Sequence, residues 1–254
     1  MARRSDAQTV FDKYAHEYDW ITNAAQREPA HAREVEAIIA RFGPHTVLDA
    51  GCATGLTTKL FAERGVSAVG LDRSKPILKQ AKLKFADAGL PLMFRHGLFE
   101  KLPKSLHRSF DLVVCLANSI SGVGSLANLS KSLRCFRDVL KPGGTLVLQM
   151  LNYAAVKEGV AMPIKATEND GIVYARYSIR RGKTLAIHVV RLDLNQSPPA
   201  NEPFVHEFDN FSPDEMLSVV RSVGLVKSRS YGNLLMTERF RKSARDLVIT
   251  ASRK

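Results

Sequence analysis

The sequence predicts an α/β protein built on a seven-stranded, mostly parallel sheet with helices on both faces. Three observations carry that expectation. Short apolar runs alternate with helical periodicities between residues 46 and 150, the order of repeated strand–helix–strand units. The first run ends in an acid and a glycine-rich turn, Asp49-Ala50-Gly51-Cys52-Ala53-Thr54-Gly55, and a helical pattern opens at Leu56. Strand, tight loop and helix N-terminus in that order form the place where an open parallel sheet binds its ligand. The chain has 254 residues, enough for one large domain or one domain with an inserted segment.

Residues 1–44 read as an N-terminal helical cap. Phe11, Tyr14, Tyr18 and Trp20 stand at helical spacing. Pro29 suits the first turn of a helix, Val35, Ile38, Ile39 and Phe42 continue the apolar face, and Gly43-Pro44 ends it. Residues 45–152 form the core. Its strands are expected at 46–50, 68–72, 92–95, 111–116 and 145–150, with helices at 56–64 and 75–87. A further helix carries Leu126, Leu129, Leu133 and Phe136 on one face. Lys141-Pro142-Gly143-Gly144 reads as a type II turn, with proline at its second position and glycine at its third.

Residues 153–210 change character and read as an antiparallel β insertion after strand five, a β-rich lid. Strands are expected at 172–180, 184–194 and 204–208, with Arg181-Gly182-Lys183 as a turn. Residues 211–254 return to the core sheet. Ser212-Pro213-Asp214-Glu215 is a helix start with a capping serine and an acid three residues on. Two closing strands are expected at 225–231 and 246–252.

Composition narrows the function classes. Apolar residues make up 45% and charged residues 24%, ordinary for a globular protein. No apolar run approaches the ~20 residues that cross a bilayer. No apolar signal region follows Arg3 and Arg4, so a cytoplasmic protein without membrane partners is expected. Cys52, Cys115 and Cys135 show no metal spacing and read as reduced packing residues; no metal site is expected. The net charge of +12 invites a nucleic-acid reading. The basic residues are dispersed, however, and nucleic acid is kept as the weaker partner class.

The glycine-rich turn separates possible ligands further. A dinucleotide fingerprint would place its glycines at Gly51, Ala53 and Leu56, a poor fit. An acid before the first glycine repels phosphate and suits a ligand with a positive end. The turn resembles the first motif of the class I S-adenosylmethionine-dependent methyltransferases, acid-x-Gly-x-Gly-x-Gly, with Ala53 in the middle glycine slot. Three later segments support the resemblance in order: Val66 to Asp72, Phe110 to Asn118, and Leu140 to Leu148.

The resemblance implies a Rossmann-like fold and S-adenosylmethionine as cofactor. It implies that Asp49 and the backbone of Gly51, Cys52, Ala53 and Gly55 hold the amino acid end. Asp72 would accept the ribose hydroxyls, although a helix-capping aspartate is the plainer alternative. Arg73 would pack beside the adenosine. Leu98 and Phe99, standing where the family commonly has an acid, would contact adenine, and Leu116, at the end of strand four, would also bind the cofactor. The Asp/Asn-Pro-Pro-Tyr/Phe motif of many amino-methyltransferases is absent. Leu116-Ala117-Asn118-Ser119 and Leu151-Asn152-Tyr153 are instead similar to small-molecule N-methyltransferases of the glycine and amino-sugar kind. On that basis Tyr14, Asn118 and Tyr153 are expected to bind the acceptor, with Asn118 equally readable as a loop residue satisfying backbone groups. The implied activity is methyl transfer to a small molecule, nitrogen favoured over oxygen. An RNA methyltransferase and a non-catalytic S-adenosylmethionine-binding protein stand as alternatives. No catalytic residue is assigned. His16, His96, His188 and His206 could face a cleft, with surface or packing roles favoured for each.

Overall fold

The computed structural model describes residues 10–254, so the first nine residues of the expected cap lie outside the described residues. The cap is broken into α1 (Val10–Lys13), a short 3₁₀ turn (Ala15–Glu17), α2 (Tyr18–Thr22) and α3 (Ala24–Phe42). Asn23 turns the chain between α2 and α3 in a left-handed conformation, φ 56°. Pro29 was expected in the first turn, but α3 starts five residues earlier and Pro29 lies inside it. Alanines and charged residues before it carry no apolar period, so sequence alone places the start too late. Gly43, also left-handed, ends α3 as expected.

The core follows as β1 (Thr46–Ala50), α4 (Leu56–Ala62), β2 (Ser67–Asp72), α5 (Lys75–Lys84), β3 (Leu92–His96), β4 (Phe110–Cys115), a 3₁₀ turn (Ser119–Val123), α6 (Leu126–Val139) and β5 (Leu140–Leu151). The expected turn at Lys141 to Gly144 interrupts β5: Gly143 has φ 79°, and the pairing with β4 jumps from Phe110–Leu140 to Leu112–Thr145. Gly144 leaves no room for a side chain, since a Cβ there would stand 2.9 Å from the Lys141 carbonyl oxygen.

The insertion forms its own antiparallel sheet of four strands in sequence order: β6 (Met162–Asn169), β7 (Ile172–Arg181), β8 (Thr184–Asp193) and β9 (Ala200–Asp209). Only three of these strands were expected. Along β6 residues 162–166 are all exposed, so this edge strand shows no inside–outside alternation to read. The chain returns through α7 (Pro213–Ser222), β10 (Leu225–Tyr231) and β11 (Asp246–Arg253). At the start of α7 Ser212 and Glu215 form a reciprocal capping box.

The main sheet has the order β10-β11-β5-β4-β1-β2-β3, with β11 antiparallel to both neighbours and every other pair parallel. β1 pairs with β2 on one side and with β4 on the other, so strand order reverses beside β1. A crevice opens at the carboxyl ends of the strands at such a reversal. Alternate residues of β1 and β4 feed two cores. Leu48 and Val113 join Leu129, Leu133 and Phe136 of α6 on one face. Val47 and Leu112 join Val35 and Ile38 of α3 and Leu60 and Phe61 of α4 on the other.

Candidate functional site

The loop after β1 is held from below and from the side. Asp49, 2% exposed, accepts a hydrogen bond from Thr58 Oγ1 of α4 at 2.7 Å. Burial pushes its carboxyl up to about 6, against the opposing hydrogen bond from Thr58. Gly51 and Cys52 donate to the Leu71 carbonyl of β2 at 2.8 and 3.1 Å. Gly51 has φ 87°, and a Cβ there would lie 2.5 Å from Ser119 Oγ and 3.3 Å from the Phe99 ring. The loops after β1, β3 and β4 therefore meet at Gly51. Gly55 is small for a different reason: a Cβ would strike the Phe94 ring at 2.6 Å, beneath the loop. Ala53 takes a left-handed φ of 48° without being glycine. Its N–H donates to Asp72 Oδ2 at 3.0 Å, which helps offset the strain of that conformation.

Asp72 ends β2 at the crevice. Its other oxygen, Oδ1, accepts from Ser74 N at 2.9 Å. Burial raises its pKa, opposed by those backbone N–H groups. Each oxygen accepts a backbone N–H, Oδ2 from Ala53 and Oδ1 from Ser74, and a carboxylate has lone-pair capacity for further donors. The remaining acceptor capacity of a carboxylate fixed in this way fits the paired hydroxyls of a ribose, and the small-residue loop beside it fits a compact zwitterionic end. Arg73 is exposed, and its carbonyl oxygen is bound by His96 Nε2 at 3.0 Å. Leu98 is 43% exposed, whereas Phe99 packs edge-on against Phe136 at 5.4 Å. Leu116 is buried and its carbonyl accepts from Ser119 N and Oγ at 3.1 and 2.8 Å.

Asn118 and Tyr153 come together, as the sequence places them at the ends of adjacent strands. Asn118, left-handed at φ 71°, donates through Nδ2 to the Tyr153 hydroxyl. Its Oδ1 accepts from Leu151 N and Ser121 Oγ, both at 3.1 Å. Tyr153 is buried, and burial pushes its phenol up to about 12. The pair is a knot tying β4 to β5. Tyr14 lies elsewhere, in the seam between cap and insertion. Its hydroxyl bonds Glu202, and the Arg191 guanidinium sits 4.3 Å from its ring centre.

Sequence reasoning missed the seam itself. Glu17, 6% exposed, binds Arg191 of β8 through both carboxylate oxygens at 3.1 and 3.2 Å, and the Tyr174 hydroxyl of β7 bonds it too. The cap also reaches the crevice loops: Asp19 accepts from Thr54 Oγ1 at 2.6 Å, and Asp12 accepts from Ser74 Oγ. Burial raises the pKa of the Tyr18 phenol, and the nearby Asp72 carboxylate adds to the shift. Of the four candidate histidines, His206 of β9 stands apart. Its ring stacks on Phe11 at 4.6 Å, and its buried Nε2 has no hydrogen-bond partner among the described residues. His188 stacks on Tyr177 at 4.6 Å, and His16 and His96 are exposed. No group of three or more His, Cys, Asp or Glu able to hold a metal occurs among the described residues. No described helix is long and apolar enough to cross a membrane.

Comparison with known proteins identifies the family. Residues 47–144 match the model of a methyltransferase domain. The ubiquinone biosynthesis O-methyltransferase of Nitrosomonas europaea is 30% identical over 231 residues, covering 87% of this chain and 83% of that protein. This chain belongs to the class I S-adenosylmethionine-dependent methyltransferases. The fold agrees. The methyltransferase superposes on the CcbJ methyltransferase of Streptomyces caelestis with a TM-score of 0.75 at 23% identity, covering 89% of this chain and 90% of the other. An S-adenosylmethionine-bound amino pentose methyltransferase from Micromonospora echinaspora gives a TM-score of 0.73 at 20% identity, covering 92% and 97%. The methyltransferase thus uses S-adenosylmethionine on a Rossmann-like sheet, as its first glycine-rich turn led us to expect.

Proposed function

We propose that this enzyme methylates a nitrogen of a small-molecule acceptor. The observation that carries the small-molecule reading is the cap–insertion junction beside the crevice. Glu17, Arg191 and Tyr174 pin the cap to the insertion, and β9 packs on the turn after β4. Two added segments pinned together at the ligand end of the sheet suit a compact acceptor better than a polynucleotide lying across an open basic groove. The nitrogen reading is supported by the sugar N-methyltransferase KedS8 of Streptoalloteichus, whose structure covers 100% of this chain at 19% identity and a TM-score of 0.75.

When bound, S-adenosylmethionine supplies a methyl group on a cationic sulfur that leaves as a neutral thioether. The chain's own work is alignment and exclusion of water. Asp72 would hold the ribose, the backbone of the Gly51 loop the amino acid end, and Phe99 the adenosine side. Cap and insertion would keep water from the reacting atoms. Asn118 and Tyr153 would fix the loop beneath the acceptor rather than exchange protons with it, since each is committed to the other.

A second reading, oxygen methylation, is favoured by His206. Alcohols and phenols need a base, and its buried Nε2 is uncommitted. The O-methyltransferase relative supports the same reading. The test is transfer of radiolabelled methyl groups to cell extract separated into RNA, protein and small-molecule fractions. Labelled product is then characterised by mass and by stability to acid and alkali. Label in a small amine is expected. A labelled ether selects the second reading, and label removed by ribonuclease overturns both.

A further inference from the structure

The face that the insertion turns toward the cap is read from its register. Thr167 pairs with Tyr174, Arg176 with Val189, Arg180 with Leu185, and Ser178 with Ile187, which in turn pairs with His206. Directly paired residues share a face. Tyr174, bonded to Glu17, and Leu185, buried in the main core, mark it as the inner one.

Among the described residues, the buried side-chain nitrogen and oxygen atoms without a hydrogen-bond partner are Thr167 Oγ1, Arg176 Nε, Arg180 Nε and His206 Nε2. All four lie on this one face. A buried polar group left unpaired costs about 1–3 kcal/mol, and natural proteins rarely gather several. The guanidinium Nε–H groups only donate, and the threonine hydroxyl can donate. The missing partner is therefore rich in acceptor atoms.

Arg176 states this most sharply. It makes no ion pair among the described residues, while Arg180 has Glu158 at 3.5 Å. Burial lowers its pKa, and the next cause is the like charge of Arg27 on α3. Tyr18, which lies near Asp72, is also a neighbour of both arginines. An anion between Arg176 and Arg27 would satisfy the orphan donor and relieve the repulsion.

We infer that the inner face of the insertion binds the methyl acceptor, and that the acceptor carries a carboxylate or phosphate group held by Arg176, with Arg180 reading a further acceptor atom along β7. This rests on the proposed reading of the crevice as a methyl-acceptor site. It makes the enzyme selective for anionic small molecules, and it gives part of the net positive charge a specific task.

The test uses the full chain saturated with S-adenosylhomocysteine. Inorganic phosphate and acetate are titrated separately by calorimetry. Saturable binding of at least one is expected in the millimolar range, and the stronger of the two identifies the anion class. Arg176→Gln should weaken it by at least about tenfold, as expected for loss of a charge-assisted contact. Arg180→Gln should weaken it less, and Arg176→Lys should retain part. Affinity for S-adenosylhomocysteine itself should not change in any variant.

Wild-type protein that binds S-adenosylhomocysteine but neither anion would overturn the inference. So would an Arg176→Gln protein that loses S-adenosylhomocysteine while keeping 5′-methylthioadenosine, because Arg176 would then hold the cofactor's own carboxylate. Failure of the wild type to bind S-adenosylhomocysteine would instead remove the underlying site reading. Should Arg176→Gln not fold, the Arg176 Nε–H resonance of the wild type decides: a saturable shift with either anion supports the inference, and no shift rejects it.

Discussion

Asp72 is the residue on which the crevice turns. The sequence offered two readings of it, a ribose-binding acid at the end of the second strand and a helix-capping aspartate. The bond at the start of α5 answers to the capping alternative, whereas the bond to the loop after β1 was not legible. By accepting from Ala53 N and Ser74 N it also shapes the loop after β1 and the start of α5. Replacing Asp72 with alanine should weaken S-adenosylmethionine binding by about 1.5–3 kcal/mol, the loss of two hydrogen bonds to a charged acceptor. Calorimetry on a variant with a normal melting transition checks it, and unchanged affinity would remove Asp72 from the site. Asn118 and Tyr153 show the limit of reading residues singly. Each was placed correctly at a strand end, but their mutual bond links residues 35 apart, and nothing local in the sequence announces it. His206 shows the same limit in reverse: only the folded register separates it from the other histidines.

Among the elements, those with a clear period were legible and those without one were not. The parallel strands, α6 and α7 follow their apolar spacing. β6 is an exposed edge, and α3 begins in a stretch that alanine and charge make featureless. The cap–insertion seam was invisible because Glu17 and Arg191 lie 174 residues apart in the chain. Both are almost fully buried, with side chains 6% and 9% exposed. Removing one partner of such a pair leaves the other charge without compensation. Glu17→Ala should therefore destabilise the protein by about 3–5 kcal/mol, measured by denaturant unfolding. The same pair predicts a pH dependence. Burial alone would raise the Glu17 pKa, but Arg191 and then Tyr174 outweigh it, and the net shift is downward. A carboxylate with a depressed folded pKa contributes stability above its unfolded value of about 4.3, and that contribution is lost as pH falls through the folded value. Wild type and Glu17→Ala should accordingly converge in stability in acid, and a constant difference down to the lowest pH would contradict the assignment.

At the scale of the whole molecule, the cap and the insertion approach the carboxyl ends of the sheet from opposite termini of the core and meet above the crevice. We propose that this junction opens to admit cofactor and acceptor. The junction joins polar pairs, Glu17–Arg191, Lys13–Glu202 and Tyr14–Glu202, to an apolar cluster of Ile21, Ile172, Tyr174 and Val189 with Phe11, Tyr14, Ile187 and Phe204 packed against it. A seam of that kind separates more easily than the larger continuous cores of the main sheet, because water can replace its hydrogen bonds and fewer apolar residues are uncovered. Ligands that contact both sides add binding energy only to the closed form and shift the population toward it. The amides of 153–210 and of the cap should therefore exchange hydrogen faster than those of β1, β4 and β5 in the free enzyme. They should become protected when S-adenosylhomocysteine and an acceptor are bound together, and less so with S-adenosylhomocysteine alone. Glu17→Ala should raise exchange in both segments at once, since it cuts the strongest tie between them. Equal exchange with and without ligands, in a sample shown to be saturated, would reject closure, and protection confined to the loops after β1 and β2 would leave the insertion as a fixed wall.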